Sequence, residues 1–129
     1  IELDKKYGKK HKISFAIVGG HGETDNIQFG HGSHRARLYS EDLAGKGVKR
    51  SKKFFEDDAT LILISCNTGQ PAGIAEKLSE AFDLNVIAPN TPTANPIIQV
   101  EKGADNKLSF EVRYTEKTSA KLFSRKNAQ

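Results

Sequence analysis

Hydrophobic positions form runs and alternations whose period changes along the chain. Leu61-Ile62-Leu63-Ile64 is continuous, the pattern of a central strand covered on both faces. Ile13-Ser14-Phe15-Ala16-Ile17-Val18 predicts a strand before it, closed by Gly19-Gly20. Asn85-Val86-Ile87-Ala88 predicts a third, closed by Pro89. Between the second and third, Ile74, Ala75, Leu78, Ala81 and Phe82 share one side at helical spacing, so a helix is expected within Pro71 to Phe82. Strand, helix, strand in that order is a βαβ unit with parallel strands and a right-handed crossover. Leu43, Val48, Phe54 and Phe55 predict a second crossover over Ser40 to Phe55, a helix interrupted near Gly45 and Gly47. Ile27-Gln28-Phe29 is a weaker strand. Toward the end the period falls to two: Leu108, Phe110, Val112 and Tyr114 alternate with Ser109, Glu111 and Arg113. With Ile97 to Val100 across the Lys102 to Lys107 segment, this predicts a half-buried antiparallel hairpin. From Thr115 the chain reads as a polar, basic tail, mobile at its end. The expected architecture is a small α/β domain with a mainly parallel sheet and a C-terminal hairpin, its core in residues 13–114 and its tail in residues 115–129.

Composition adds bounds to this picture. The 129 residues suffice for one domain and one core, and 36% hydrophobic with 28% charged residues is ordinary for a soluble protein. No apolar run approaches the roughly 20 residues that span a bilayer. The chain opens at Ile1 without a Met and is read as a fragment of a larger protein. The net charge of +4 is concentrated at Lys5, Lys6, Lys9 and Lys10, at Lys46, Lys49, Arg50, Lys52 and Lys53, and at Lys117, Lys121, Arg125 and Lys126. A basic surface suits a polyanion, yet no nucleic-acid fold signature or aromatic interleaving accompanies it, and a solvated face is the ordinary reading. The single cysteine, Cys66, excludes an intramolecular disulfide and every multi-cysteine zinc site.

Chemistry concentrates at two strand ends. In parallel α/β sheets ligands bind beyond the carboxyl ends of the strands. His21 follows the first strand after Gly19-Gly20, and Cys66 follows the second after Ser65. If those strands are parallel neighbours, their ends lie about 5 Å apart. A thiolate is the attacking form of cysteine, and an adjacent imidazole can take the thiol proton and later return it to a leaving amine. The N–H groups of Gly22 and Cys66, both in turns leaving strand ends, are the candidate oxyanion donors. Glu23 and Asp25 after the histidine, and Ser65 and Asn67 around the cysteine, are the candidate substrate contacts. The bland alternative is a core cysteine and a turn histidine. Against it, Cys66 lies past the apolar run and His21 lies between glycines.

Phe15-Ala16-Ile17-Val18-Gly19-Gly20-His21-Gly22 and Leu61-Ile62-Leu63-Ile64-Ser65-Cys66 together resemble the caspase, gingipain and clostripain clan of cysteine peptidases. In that clan one strand ends in His-Gly and a later one in a small residue followed by Cys. The interval of 45 residues from His21 to Cys66 is close to the roughly 50 of caspases. The likeness covers about residues 13–90 and is nearest the bacterial members, including toxin autoprocessing domains and CHAT-type peptidases. It implies a caspase-like three-layer sandwich and a dyad that needs no third acid. It also implies hydrolysis of a peptide or protein substrate, often the enzyme's own chain. Carried over residue by residue, His21 is general base and acid, Cys66 the nucleophile and Gly22 an oxyanion donor. No cofactor is required. The hairpin from Ile97 to Tyr114 is similar to the β-flap of toxin autoprocessing domains, which inositol hexakisphosphate activates on a basic surface, so an inositol polyphosphate activator is implied. So is a soluble domain, cytoplasmic or delivered as an effector. Ser65-Cys66-Asn67-Thr68-Gly69 replaces the caspase pentapeptide, and Ile64 stands where metacaspase-like members carry an acid, so neither specificity is implied.

Other readings stay open on the sequence. His31 and His34 are three apart, but no carboxylate or thiol motif completes a zinc set, and no metal site is expected. His31-Gly32 offers a rival general base after the weaker strand. Gly19-Gly20-His21-Gly22 lacks the Lys and Ser/Thr of a phosphate loop. An inactive binding module on the same fold is one alternative to a peptidase. A thiol amidohydrolase or acyltransferase with the same dyad is another.

Overall fold

The computed structural model describes residues 12–29, 37–44, 52–91, 96–114 and 120–125. Its strands are β1 (Ile13–Val18), β2 (His21–Glu23), β3 (Asn26–Gln28), β4 (Arg37–Tyr39), β5 (Phe55–Leu63), β6 (Asn85–Pro89), β7 (Ile97–Lys102), β8 (Leu108–Arg113) and β9 (Ala120–Phe123). The described helices include α1 (Ile74–Phe82) and a 3-10 helix over Ser40–Ala44. The main sheet runs β1-β5-β6-β9, with β1, β5 and β6 parallel and β9 antiparallel to β6. The expected βαβ unit is therefore present, and the chain is α/β with a mixed sheet.

Alternation sorts the two faces of this sheet. Ala16 and Val18 of β1, Leu61 and Leu63 of β5, and Val86 and Ala88 of β6 face one way, into a core completed by Ile74, Ala75 and Leu78 of α1. The opposite face carries Phe15, Ile17 and Ile62. Here the register sets Ile17, Ile62, Ile87 and Leu122 in one row across all four strands. The β7–β8 hairpin, found where alternation placed it, meets this face through Phe110, whose ring stands edge-on to Phe15 at 5.4 Å. Ile17 remains 50% exposed and Leu122 63%, so the cover is incomplete.

Three sequence expectations change. Of the span Ser40 to Phe55, where an interrupted helix is expected, the described part opens with the short 3-10 helix, at whose start Asp42 Oδ2 accepts the Tyr39 N–H at 2.8 Å. Phe55 already begins β5, and residues 45–51 lie outside the described residues. Residues 21–39 hold a small antiparallel sheet, β2-β3-β4, in place of one weak strand. The tail after Thr115 contributes β9, whose Phe123 packs against the core while Arg125 reaches back to Asp83 at 3.0 Å. That carboxylate sits at the left-handed C-cap of α1, also within 3.7 Å of Lys52 Nζ.

Candidate active site

β1 and β5 are parallel neighbours with Val18 opposite Leu63, and Ile64 N–H donates to Val18 O at 2.9 Å. The two strands therefore end side by side. Beyond Val18 the chain turns through Gly20, at φ +139, a conformation that glycine adopts without a Cβ penalty. It then enters β2 at His21. Beyond Leu63 it enters the turn holding Cys66, with Asn67 left-handed at φ 60.

Gly22 joins the two segments. A Cβ placed on it would stand 2.5 Å from Cys66 O and 2.6 Å from the Ser65 Cβ. The backbone after the histidine thus lies directly against the backbone of the cysteine turn, an approach that only glycine permits. His21 is exposed and Cys66 half-buried.

Three further anchors hold the edge. Thr68 Oγ1 donates to Ser65 O at 2.7 Å, closing the cysteine turn on itself. Gly69 N–H donates to Pro89 O at 2.8 Å, which ties the turn to β6. The start of α1 has no side-chain cap at Gly73; instead Ile74 N–H donates to Thr24 O at 2.7 Å and Ala75 N–H to Thr68 O at 3.1 Å. One helix terminus therefore clamps both the β2–β3 turn and the cysteine turn. Sequence reasoning missed Thr24, Thr68 and Gly73. The uncapped Gly73 ahead of an apolar periodic run was the available signal.

The candidate substrate contacts separate into different environments. Glu23 and Asp25 are exposed but tied together: Asn26 Nδ2 donates to Glu23 Oε2 at 3.2 Å and to Asp25 Oδ1 at 2.8 Å, while Arg37 Nη1 donates to Asn26 Oδ1 at 3.1 Å. Asn67 is half-buried in the turn. Ser65 is fully buried, and its Oγ has no hydrogen-bond partner among the described residues, so it lies beneath the site and out of a substrate's reach. His31 and His34 lie outside the described residues, as do Lys5, Lys6, Lys9, Lys10, Lys46, Lys49, Arg50, Lys117 and Lys126. Among the described residues no group of three or more His, Cys, Asp or Glu could hold a metal ion, and no helix is long and apolar enough to cross a membrane.

No curated protein and no solved structure matches the chain. A family model described as Domain of unknown function (DUF8616) matches residues 4–96, a stretch that contains both strand ends and stops short of the β7–β8 hairpin. Since that match covers well over half of the sequence, the chain belongs to the DUF8616 family.

Proposed function

We propose that this domain is a cysteine peptidase of caspase-like type, with Cys66 as nucleophile and His21 as general base and acid. The observation that carries the reading is the contact of Gly22 with the Cys66 turn at the ends of two adjacent parallel strands. In the proposed reaction His21 takes the thiol proton and Cys66 Sγ attacks the substrate carbonyl carbon. The oxyanion accepts hydrogen bonds from the N–H groups of Gly22 and Cys66. His21 gives its proton to the leaving amine, the C–N bond breaks and a thioester remains. Water, deprotonated by His21, attacks the thioester and expels the thiolate.

Glu23, Asp25 and Asn67 are the substrate contacts of this reading; Ser65 leaves the set because it is fully buried. The inositol polyphosphate activator remains a proposal. Lys52 and Arg125, two of its candidate ligands, already approach Asp83, so a polyanion there would compete with a carboxylate. The three-layer form of the fold is also a proposal. α1 supplies one helical layer, and a second would lie over Ile17 and Leu122.

Incubating the chain alone and with a peptide library, followed by intact mass measurement, tests the activity. Cys66→Ala abolishes cleavage, and His21→Ala lowers it on the order of a thousandfold or more. Cleavage that persists in Cys66→Ala overturns the peptidase reading. A Cys66-dependent change in substrate mass without backbone scission reassigns the dyad to another thiol reaction.

A further inference from the structure

β8 runs into Tyr114, whose hydroxyl donates to Leu63 O at 2.6 Å. Leu63 is the last residue of β5, three positions before Cys66, and it is fully buried. Its carbonyl lacks the donor that a regular sheet would supply. Ile64 N–H points to β1, so alternation turns the polar groups of Leu63 toward β6. There Ile62 pairs with Ile87, and the next N–H due to reach Leu63 O belongs to position 89. That residue is Pro89, which has no N–H. Its carbonyl does face this side, since it accepts the Gly69 N–H of the cysteine turn. The ladder between β5 and β6 thus stops for want of one donor at the point where the chain leaves for Cys66.

We infer that Tyr114 is a positioning residue for Cys66, its hydroxyl replacing the N–H that Pro89 cannot give and fixing the strand end from which the cysteine turn departs. This rests on the dyad reading and deepens it. The Tyr114 hydroxyl is hydrogen-bonded to a backbone carbonyl. It acts through Leu63, and the hairpin that carries it is seated independently by Phe110 on Phe15.

The test uses the full chain and reads Cys66, its only thiol, by its rate of alkylation with iodoacetamide across pH 5 to 10, a span that brackets a free thiol near 8.5. Tyr114→Phe keeps the ring and removes only the donor. It moves the midpoint of the alkylation profile up by about one pH unit, which is about a tenfold loss of rate on the acid limb, well below the midpoint, with the alkaline plateau unchanged. Pro89→Ala restores an N–H facing Leu63 O, and in that background Tyr114→Phe produces a smaller shift. A purely structural hydroxyl would lower the melting temperature and leave the profile where it was. A folded Tyr114→Phe chain with the wild-type profile overturns the inference. His21→Ala separates this from the parent reading. If His21→Ala shifts the profile and Tyr114→Phe does not, the dyad stands and the Tyr114 role falls. If Tyr114→Phe shifts it and His21→Ala does not, Tyr114 keeps its hold on Cys66 and the dyad falls. If neither shifts it, both fall.

Discussion

At Gly22 a single hydrogen in place of a side chain lets two backbones touch. Gly22→Ala sets a methyl group 2.5 Å from Cys66 O, and the far side cannot yield easily because β5 and the Thr68 hydroxyl hold it. The expected result is a loss of about 2–3 kcal/mol from forced separation, or roughly 10 °C in the melting temperature, with a changed Cys66 alkylation rate in whatever folded protein remains. Calorimetry and thiol labelling read the two together, and an unchanged melting temperature would mean the backbones do not touch. Tyr114 makes a different kind of prediction. Burial pushes its phenol well above the ordinary value of 10.0, so the folded chain keeps that proton after the unfolded chain has begun to release it. The stability this represents is complete below about pH 10 and is lost as pH rises further, because the unfolded state then binds fewer protons than the folded one. Denaturant midpoints measured from pH 8 to 11 fall more steeply in the wild type than in Tyr114→Phe, with the other two tyrosines common to both chains.

Elements differ in how far the sequence shows them, and the difference is physical. β5 and α1 were legible because each buries side chains at its own period: an unbroken apolar run for a strand covered on both sides, and Ile74, Ala75 and Leu78 for a helix covered on one. The hairpin was legible because one of its faces is wet and the pattern alternates. β2, β3 and β4 have three residues each and carry His21, Glu23, Asn26 and Arg37, so no period marks β2 or β4, and β3 shows only as the weak strand at Ile27-Gln28-Phe29. Their pairing is decided by contacts made after folding, including the fully buried Ile27 and the Thr24 carbonyl on the start of α1. The same division runs through the site. The place of His21, Gly22 and Cys66 beyond two neighbouring strand ends was readable because the apolar runs stop just before them. The clamp of α1 on both turns uses carbonyls, which every residue possesses, and so leaves no mark in residue type. Tyr114 was readable as an inward hairpin residue but not as a donor, because its partner carbonyl becomes vacant only through Pro89 on a third strand.

For the molecule as a whole, β9 is the largest departure from what composition suggested, and it carries a clear consequence. Ala120–Phe123 looks like tail because it lies among lysines and polar residues, yet it closes the β6 edge over four paired positions. Without it, the outer edge of β6 loses its pairing partner and the core loses Phe123. Asp83, a residue only 8% exposed, loses the Arg125 guanidinium that stands 3.0 Å from its carboxylate. Each loss alone is of the order of 1–3 kcal/mol, and together they rival the 5–15 kcal/mol by which small domains are stable. A chain ended at Ser119 is therefore expected to lose its cooperative thermal transition, or to melt at least about 15 °C below the full chain. Lys121→Ala, which removes only an exposed charge from β9, stays within about 0.5 kcal/mol of wild type. Circular dichroism melts of the three proteins decide the matter: a shortened chain that unfolds near the wild-type temperature would return residues 120–125 to the status of a tail. The expected collapse would make β9 part of the scaffold that holds the far side of the Cys66 turn, since the same β6 strand pairs with β9 and accepts the Gly69 N–H at its end.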